Sequence, residues 1–160
     1  MLNFPVEPFG PQHDRPNFRC GNEALDRYFH ERIRKEVEAR VAAAFVMADS
    51  PAVLGYYTLS AHSMERGNLP EEVVKKLKLP KYALIPATLM GRLAVDLKYQ
   101  GQRIGETLLM DGLERSYIHS SQVASFAVVV DAKETAVEFY RRYGFLQLAP
   151  GLRMFIPMGP

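Results

Sequence analysis

One stretch of this chain has residue types and spacing suited to holding an anion. Gly91-Arg92-Leu93-Ala94-Val95-Asp96 reads as a strand, and Tyr99-Gln100-Gly101-Gln102-Arg103-Ile104-Gly105 reads as a tight glycine-bearing turn that opens the helical pattern Glu106-Thr107-Leu108-Leu109. The first amides of a helix have no intrahelical acceptor, and the positive end of the helix dipole adds to their field. A phosphate or pyrophosphate is the natural ligand of such a turn. The spacing matches neither the dinucleotide fingerprint G-x-G-x-x-G nor the Gly-Lys-Ser/Thr ending of a P-loop, so neither NAD nor a nucleoside triphosphate is favoured.

The elements that must position this turn are legible around it. Leu84 to Val95 forms a long strand, and Ile104 to His119 a helix whose Ile104, Leu108, Gly112 and Leu113 suit packing on a sheet. Phe126 to Val130 is a continuous apolar run of the buried-strand type, followed by helical Lys133 to Tyr143, which Gly144 closes. Upstream, Phe4 to Phe9 is a strand that Pro5 and Pro8 confine to an edge. Asn22 caps a helix from about Glu23 to Arg40 with an apolar stripe of Leu25, Phe29, Ile33 and Val37. Val41 to Ala48 and Val53 to His62 make an antiparallel hairpin around Asp49-Ser50-Pro51. Pro70-Glu71-Glu72 starts a short helix ending near Leu79-Pro80, and Phe145 to Leu148 with Arg153 to Met158 form a last pair around Ala149-Pro150-Gly151. The order of elements predicts an α/β (α+β) fold, a mixed sheet covered by helices.

With 160 residues and 48% hydrophobic content, the chain suits a single domain over residues 1–160. It has no long apolar run and its N-terminus lacks the pattern of a signal peptide, so a cytoplasmic protein with no membrane attachment is expected. The lone Cys20 excludes an internal disulfide and reads as structural, and four dispersed histidines give no metal-ligand cluster. A net charge of +2 does not announce a nucleic-acid binder. The basic residues do cluster: Arg32, Arg34, Lys35 and Arg40; Lys75, Lys76, Lys78 and Lys81; and Arg141 with Arg142. Each cluster reads either as a solvated helix face or as a grip on nucleic-acid phosphates.

Gln100-Gly101-Gln102-Arg103-Ile104-Gly105 resembles the Q/R-x-x-G-x-G/A element of the GNAT acetyltransferase superfamily. Asp131-Ala132 with Ala136-Val137-Glu138-Phe139-Tyr140-Arg141-Arg142-Tyr143-Gly144-Phe145 is similar to that family's closing segment. Phe18-Arg19-Cys20-Gly21-Asn22-Glu23-Ala24-Leu25-Asp26, together with Leu54 to Ser60 and Gly91 to Val95, resembles the acetyltransferase toxins of toxin–antitoxin modules. The resemblance implies a sheet splayed between the strand ending at Val95 and the strand Phe126 to Val130, with acetyl-CoA in the wedge. It implies cofactor contacts from Leu93, Ala94, Val95, Gln100, Gly101, Gln102, Arg103, Ile104, Gly105, Glu106, Ala132 and Tyr143. Arg103 stands where the family has a glycine; an ordinary helical backbone there would still aim its amide at the phosphate.

The same resemblance makes Tyr140 the general acid for the departing thiolate, a phenol with an ordinary pKa of about 10 being protonated at pH 7. Asp96, Glu106, Glu138 and His119 are all possible bases, and none is singled out. Arg92 is balanced between substrate contact and a surface salt bridge; Lys75, Lys76, Lys78, Arg141 and Arg142 are candidates for substrate phosphates. The function implied is acetylation of the α-amino group of aminoacyl-tRNA, blocking translation. The partners implied are a ribbon-helix-helix antitoxin and a second copy of the chain, with no direct DNA reading by this chain. The alternatives are an acetyltransferase of a small-molecule or protein amine, and a non-catalytic CoA-binding module.

Overall fold

The computed structural model describes residues 4–148 and 151–159. Seven strands join in the order β1-β2-β3-β4-β5-β7-β6: β1 (Val6–Pro8), β2 (Ala43–Asp49), β3 (Ala52–Glu65), β4 (Leu84–Val95), β5 (Ala127–Asp131), β6 (Leu146–Gln147) and β7 (Arg153–Pro157). The helices are α1 (Glu23–Arg27), α2 (Ile33–Glu38), α3 (Glu71–Lys76), α4 (Ile104–His119) and α5 (Val137–Arg142). Strands β4 and β5 are parallel, whereas β1–β2, β2–β3, β5–β7 and β6–β7 are antiparallel. The parallel pair is the one whose connection contains the long helix α4, as a parallel crossover requires. The fold is therefore the expected mixed α/β sheet with helices. Among the described residues no helix is long and apolar enough to cross a membrane, and no group of His, Cys, Asp or Glu could hold a metal ion.

The chain divides into two compact units, and β3 and β4 run through both. In the first unit (Met1–Ser60 with Met90–Arg115), the expected N-cap forms: Asn22 Oδ1 accepts from the Leu25 amide at 3.0 Å. The predicted single helix does not continue to Arg40. A π-helical segment, Tyr28–Arg32, separates α1 from α2, and α2 ends at Glu38. The wider turn keeps both Tyr28 and Phe29 buried, a face that strict fourth-residue spacing does not offer. Phe29 stacks on Tyr56 with centroids 4.6 Å apart and meets Phe18 at 4.9 Å, inside a cluster with Ile33, Val46 and Ala94. Leu25 and Val37 are only partly buried at its margin. The hairpin forms as expected, with strand ends shifted by one to three residues. β1 is the shortened edge strand that its prolines require.

On α4, Ile104, Leu108 and Leu109 are buried, and Gly112 is buried beneath Tyr57 and Met90. Gly55 on β3 is the closest approach: a Cβ there would lie 2.7 Å from Leu108 Cδ1 and 2.8 Å from the Ala94 carbonyl oxygen. Tyr57 donates its hydroxyl to Asp111, and Arg115 Nε reaches Asp111 at 3.0 Å and the Tyr57 oxygen at 3.1 Å. This fixes the α4 face against β3 with all three side chains of the trio hydrogen-bonded to one another.

The second unit (Ala61–Leu89 with Ser116–Pro160) is built on β5, whose residues Ala127 to Val130 are all buried. Met64, Leu69, Ala87, Ala127, Val129, Leu148 and Phe155 form its core cluster, covered by Val73 and Val74 of α3. Pro70 precedes α3 as expected. The helix expected from Lys133 begins as a 3₁₀ turn, Glu134–Ala136, and α5 runs only to Arg142 before Gly144 at φ 96°. The β6–β7 pair forms, while Ala149 and Pro150 of its connection lie outside the described residues.

Candidate functional site

The anion-binding turn lies in the first unit. Asp96, only 5% exposed, ends β4 by accepting from the Arg19 amide at 3.0 Å and the Lys98 amide at 2.9 Å. Its carboxylate is thus a backbone cap, which removes it from the candidate bases. A 3₁₀ turn, Leu97–Tyr99, follows. Gln100 Nε2 then donates to the Cys20 and Val95 carbonyls, both at 2.9 Å. The Gln100 side-chain nitrogen braces the turn and is committed to the protein rather than offered to a ligand.

Beyond Gln100 the amides of Gly101, Gln102, Arg103, Ile104, Gly105 and Glu106 have no acceptor among the described residues. They lead into the first turn of a sixteen-residue helix. Gly101 has φ 84° and Arg103 φ 63°. The ordinary helical backbone considered for Arg103 is thus corrected: the residue holds the left-handed conformation that a glycine would take without strain. Its carbonyl accepts from the Thr107 amide at 3.1 Å and the Thr107 hydroxyl at 3.0 Å, so Arg103 opens α4 while its exposed side chain makes no hydrogen bond or ion pair among the described residues. A row of unpartnered amides at a helix N-terminus fits the pyrophosphate of a CoA ester.

Before this turn, Ala94 is buried and Leu93 and Val95 are half-buried, so their side chains pack. The salt bridge considered for Arg92 is absent among the described residues. Its guanidinium lies 3.6 Å from the Tyr28 ring centroid, and the Tyr28 hydroxyl donates to Glu36 at 3.0 Å. Burial and the Glu36 partner push the Tyr28 phenol up to about 12. Cys20 behaves structurally: burial raises its thiol to about 11, far from a nucleophile's range.

Tyr140 lies in the second unit, on α5, only 8% exposed. Its ring meets Phe139 at 5.2 Å and Phe145 at 5.3 Å, both edge-on. Its hydroxyl has no hydrogen-bond partner among the described residues, and burial pushes its pKa up to about 12. Tyr143 is half-buried against Phe139 at 5.2 Å. Ala132 is buried and donates its amide to the Leu152 carbonyl at 3.1 Å, leaving no free N–H there for a ligand.

Of the other candidates, Lys75, Lys76 and Lys78 are exposed and unpaired among the described residues. Arg142 is exposed likewise, whereas Arg141 is paired with Glu138 and donates to Gln147 at 3.0 Å. That pairing also occupies Glu138. His119 ends α4 exposed, and Glu106 is half-buried in its first turn. Sequence reasoning overlooked one polar trio in this unit: Arg153 donates to both Asp131 oxygens, at 2.6 and 2.9 Å, and to His62 Nε2 at 3.1 Å. The partners come from three strands, and no local motif marks them.

Residues 83–154 match the family profile described as an acetyltransferase (GNAT) domain. The probable toxin TacT of Sinorhizobium fredii (strain NBRC 101917 / NGR234) is 32% identical over 165 residues, covering 96% of this chain and 90% of the relative. A tRNA-acetylating toxin of Mycobacterium tuberculosis (strain ATCC 25618 / H37Rv) is 29% identical over 133 residues, covering 82% of this chain and 78% of the relative. Among solved structures, AtaT complexed with acetyl-methionyl-tRNAfMet superposes with TM-score 0.88 at 30% identity, covering 97% of this chain and 95% of that one. AtaTR bound with acetyl-CoA gives 0.82 at 30%, covering 96% and 92%. With the unpartnered amides of its glycine turn and the aromatic-packed tyrosine of its closing helix, this chain belongs to the GNAT acetyltransferases.

Proposed function

We propose that the chain is a single acetyltransferase domain acting as a toxin, which transfers an acetyl group from acetyl-CoA to the α-amine of an aminoacyl-tRNA. The observation that carries this reading is the likeness over nearly the whole chain to AtaT in complex with acetyl-methionyl-tRNAfMet. When bound, acetyl-CoA supplies the acetyl group as a thioester. The amides of Gly101 to Glu106 hold its pyrophosphate, and the left-handed backbone at Arg103 keeps that row open. Leu93, Ala94 and Val95 offer main-chain groups to the pantetheine arm.

Tyr140 holds a proton at its phenol oxygen and gives it to the sulfur that leaves. With a pKa near 12, that proton is retained across the neutral range. No carboxylate is needed as base: an α-amine titrates at about 7.7–8, against about 10.4 for lysine, so a useful neutral fraction exists at pH 7 and water carries its proton away. Lys75, Lys76, Lys78, Arg142 and Arg92 are the cations that meet RNA phosphates, with Arg141 partly neutralised by Glu138.

The antitoxin is of the ribbon-helix-helix type and the toxin is a cytoplasmic homodimer. AtaT has been solved with the C-terminus of its antitoxin AtaR, and KacTA as a complex with DNA. The first supports an antitoxin partner for this chain, and the second a toxin–antitoxin complex that binds DNA.

The test is incubation with labelled acetyl-CoA and a pool of charged tRNAs, with Lys75→Ala/Lys76→Ala/Lys78→Ala alongside. Label on aminoacyl-adenosine is expected, and the triple variant should lose transfer to tRNA at physiological salt while binding acetyl-CoA normally. Transfer to a small amine with none to any charged tRNA would sink the tRNA reading.

A further inference from the structure

The Asp131–Arg153–His62 trio stands at a particular place in the second unit. His62 lies two residues from Met64 on β3, Asp131 two from Val129 on β5, and Arg153 two from Phe155 on β7. Since side chains alternate along a strand, all three continue, on the same sheet face, the rows that Met64, Val129 and Phe155 begin in the apolar core. Asp131 is paired in register with Arg153 as Val129 is with Phe155. The polar trio lies one step past the Leu89–Val129 pair, the last rung of the β4–β5 ladder, toward the end of β5 from which the chain passes to the helix bearing Tyr140. Helix α3 covers the same face through Val73 and Val74 and exposes Lys75 and Lys76.

The chemistry of the trio is constrained by donor count. Arg153 carries only donors, so the 3.1 Å contact from its Nη1 makes His62 Nε2 the acceptor. Burial and the neighbouring guanidinium hold the His62 pKa below its ordinary value, so the ring is neutral at pH 7. A neutral imidazole whose Nε2 accepts must carry its proton on Nδ1. Both Asp131 oxygens are taken by Arg153. The trio has no net charge, and it leaves one oriented N–H, at His62 Nδ1, with no acceptor among the described residues.

We infer that His62 is a specificity-determining residue on the acceptor side, whose fixed Nδ1–H donates to a neutral oxygen of the aminoacyl group, and that Arg153, held by Asp131, is the positioning residue that sets its tautomer. An uncharged donor suits an ester or amide carbonyl or a hydroxyl, and gives a phosphate no charge to bind. This inference rests on the aminoacyl-tRNA reading.

The experiment has two arms. In the first, nitrogen-15 NMR of the full chain should show His62 protonated on Nδ1 and bare on Nε2 at pH 7, and Arg153→Met should abolish that preference. The opposite tautomer would overturn the inference without any substrate. In the second, His62→Ala, His62→Asn and His62→Gln are compared on a panel of charged tRNAs. An Asn amide nitrogen falls near the place of Nδ1, whereas a Gln amide replaces Nε2. Expected are a roughly tenfold or larger rise in KM, or redistribution among aminoacyl species, for Ala and Gln, recovery with Asn, and unchanged acetyl-CoA affinity. Wild-type behaviour in all three, or recovery with Gln alone, would overturn the inference by leaving His62 only its contact to Arg153. Inactivity of the unsubstituted protein on every charged tRNA would overturn the aminoacyl-tRNA reading and this inference with it, a failure separated from the others because it precedes any substitution.

Discussion

Tyr140→Phe separates chemistry from folding unusually cleanly here, because Tyr140 is only 8% exposed as a residue while its hydroxyl has no hydrogen-bond partner among the described residues. The hydroxyl donates to no protein acceptor among the described residues, so its loss removes no internal hydrogen bond there. Removing it should leave stability unchanged or raise it by up to about 1 kcal/mol, a Tm shift of no more than about 4 °C and upward if anything. The edge-on contacts to Phe139 and Phe145 are retained by phenylalanine. If the phenol is the acid for the departing thiolate, kcat should fall by about 10²–10⁴, or about 2.7–5.4 kcal/mol of transition-state stabilisation, with acetyl-CoA affinity little changed. The acid works only when protonated, and burial raises its pKa to about 12. Activity should therefore show no alkaline loss from this group through pH 10, where an ordinary tyrosine would be half ionised. Thermal denaturation, isothermal titration with acetyl-CoA and a pH–rate profile read these out together. A variant with wild-type kcat would refute the acid role, and one destabilised by more than about 2 kcal/mol would show that the hydroxyl has a structural partner.

Two further substitutions probe the scaffold. Gly55→Ala places a Cβ 2.7 Å from Leu108 and 2.8 Å from the Ala94 carbonyl oxygen, and the backbone oxygen cannot rotate aside. A loss of about 1–3 kcal/mol is expected in denaturant titration; an unchanged midpoint would mean that β4 yields there. Arg103→Gly relieves a left-handed backbone worth about 1–2 kcal/mol but frees the unfolded chain by about 0.5–1 kcal/mol, so stability should stay level or rise slightly. Acetyl-CoA affinity should remain within a few-fold, and a loss of tenfold or more would show that the guanidinium itself grips the anion.

Regular elements were legible wherever local pattern and burial agree. Strand Leu84–Val95 and helix Ile104–His119 lie where their apolar spacing puts them, because each is long and flanked by clear breakers. The turn between them was recognisable from Gln100, Gly101 and Gly105, and so was the place of Tyr140 on the closing helix. The π-helical segment was not, because it serves the burial of Tyr28 and Phe29 against Tyr56, a residue of another element. Nor was the left-handed backbone at Arg103, since an arginine in a sequence predicts the opposite. The bracing role of Gln100 depends on Cys20, eighty residues earlier in the chain.

What the sequence by itself determined is the class of fold and the chemistry to expect at its turn, since periodicity and a glycine-bearing helix start are local properties. What only the tertiary structure decided is which polar groups are already committed. Asp96, Gln100 and the Ala132 amide are satisfied by the protein, whereas the amides from Gly101 to Glu106 and the Tyr140 hydroxyl are left unpartnered among the described residues. His62 meets Arg153 across 91 residues of sequence only because the strands assemble in one register. Hydrogen bonds between distant residues form where the sheet brings donor and acceptor within about 3 Å, a distance that no local pattern encodes.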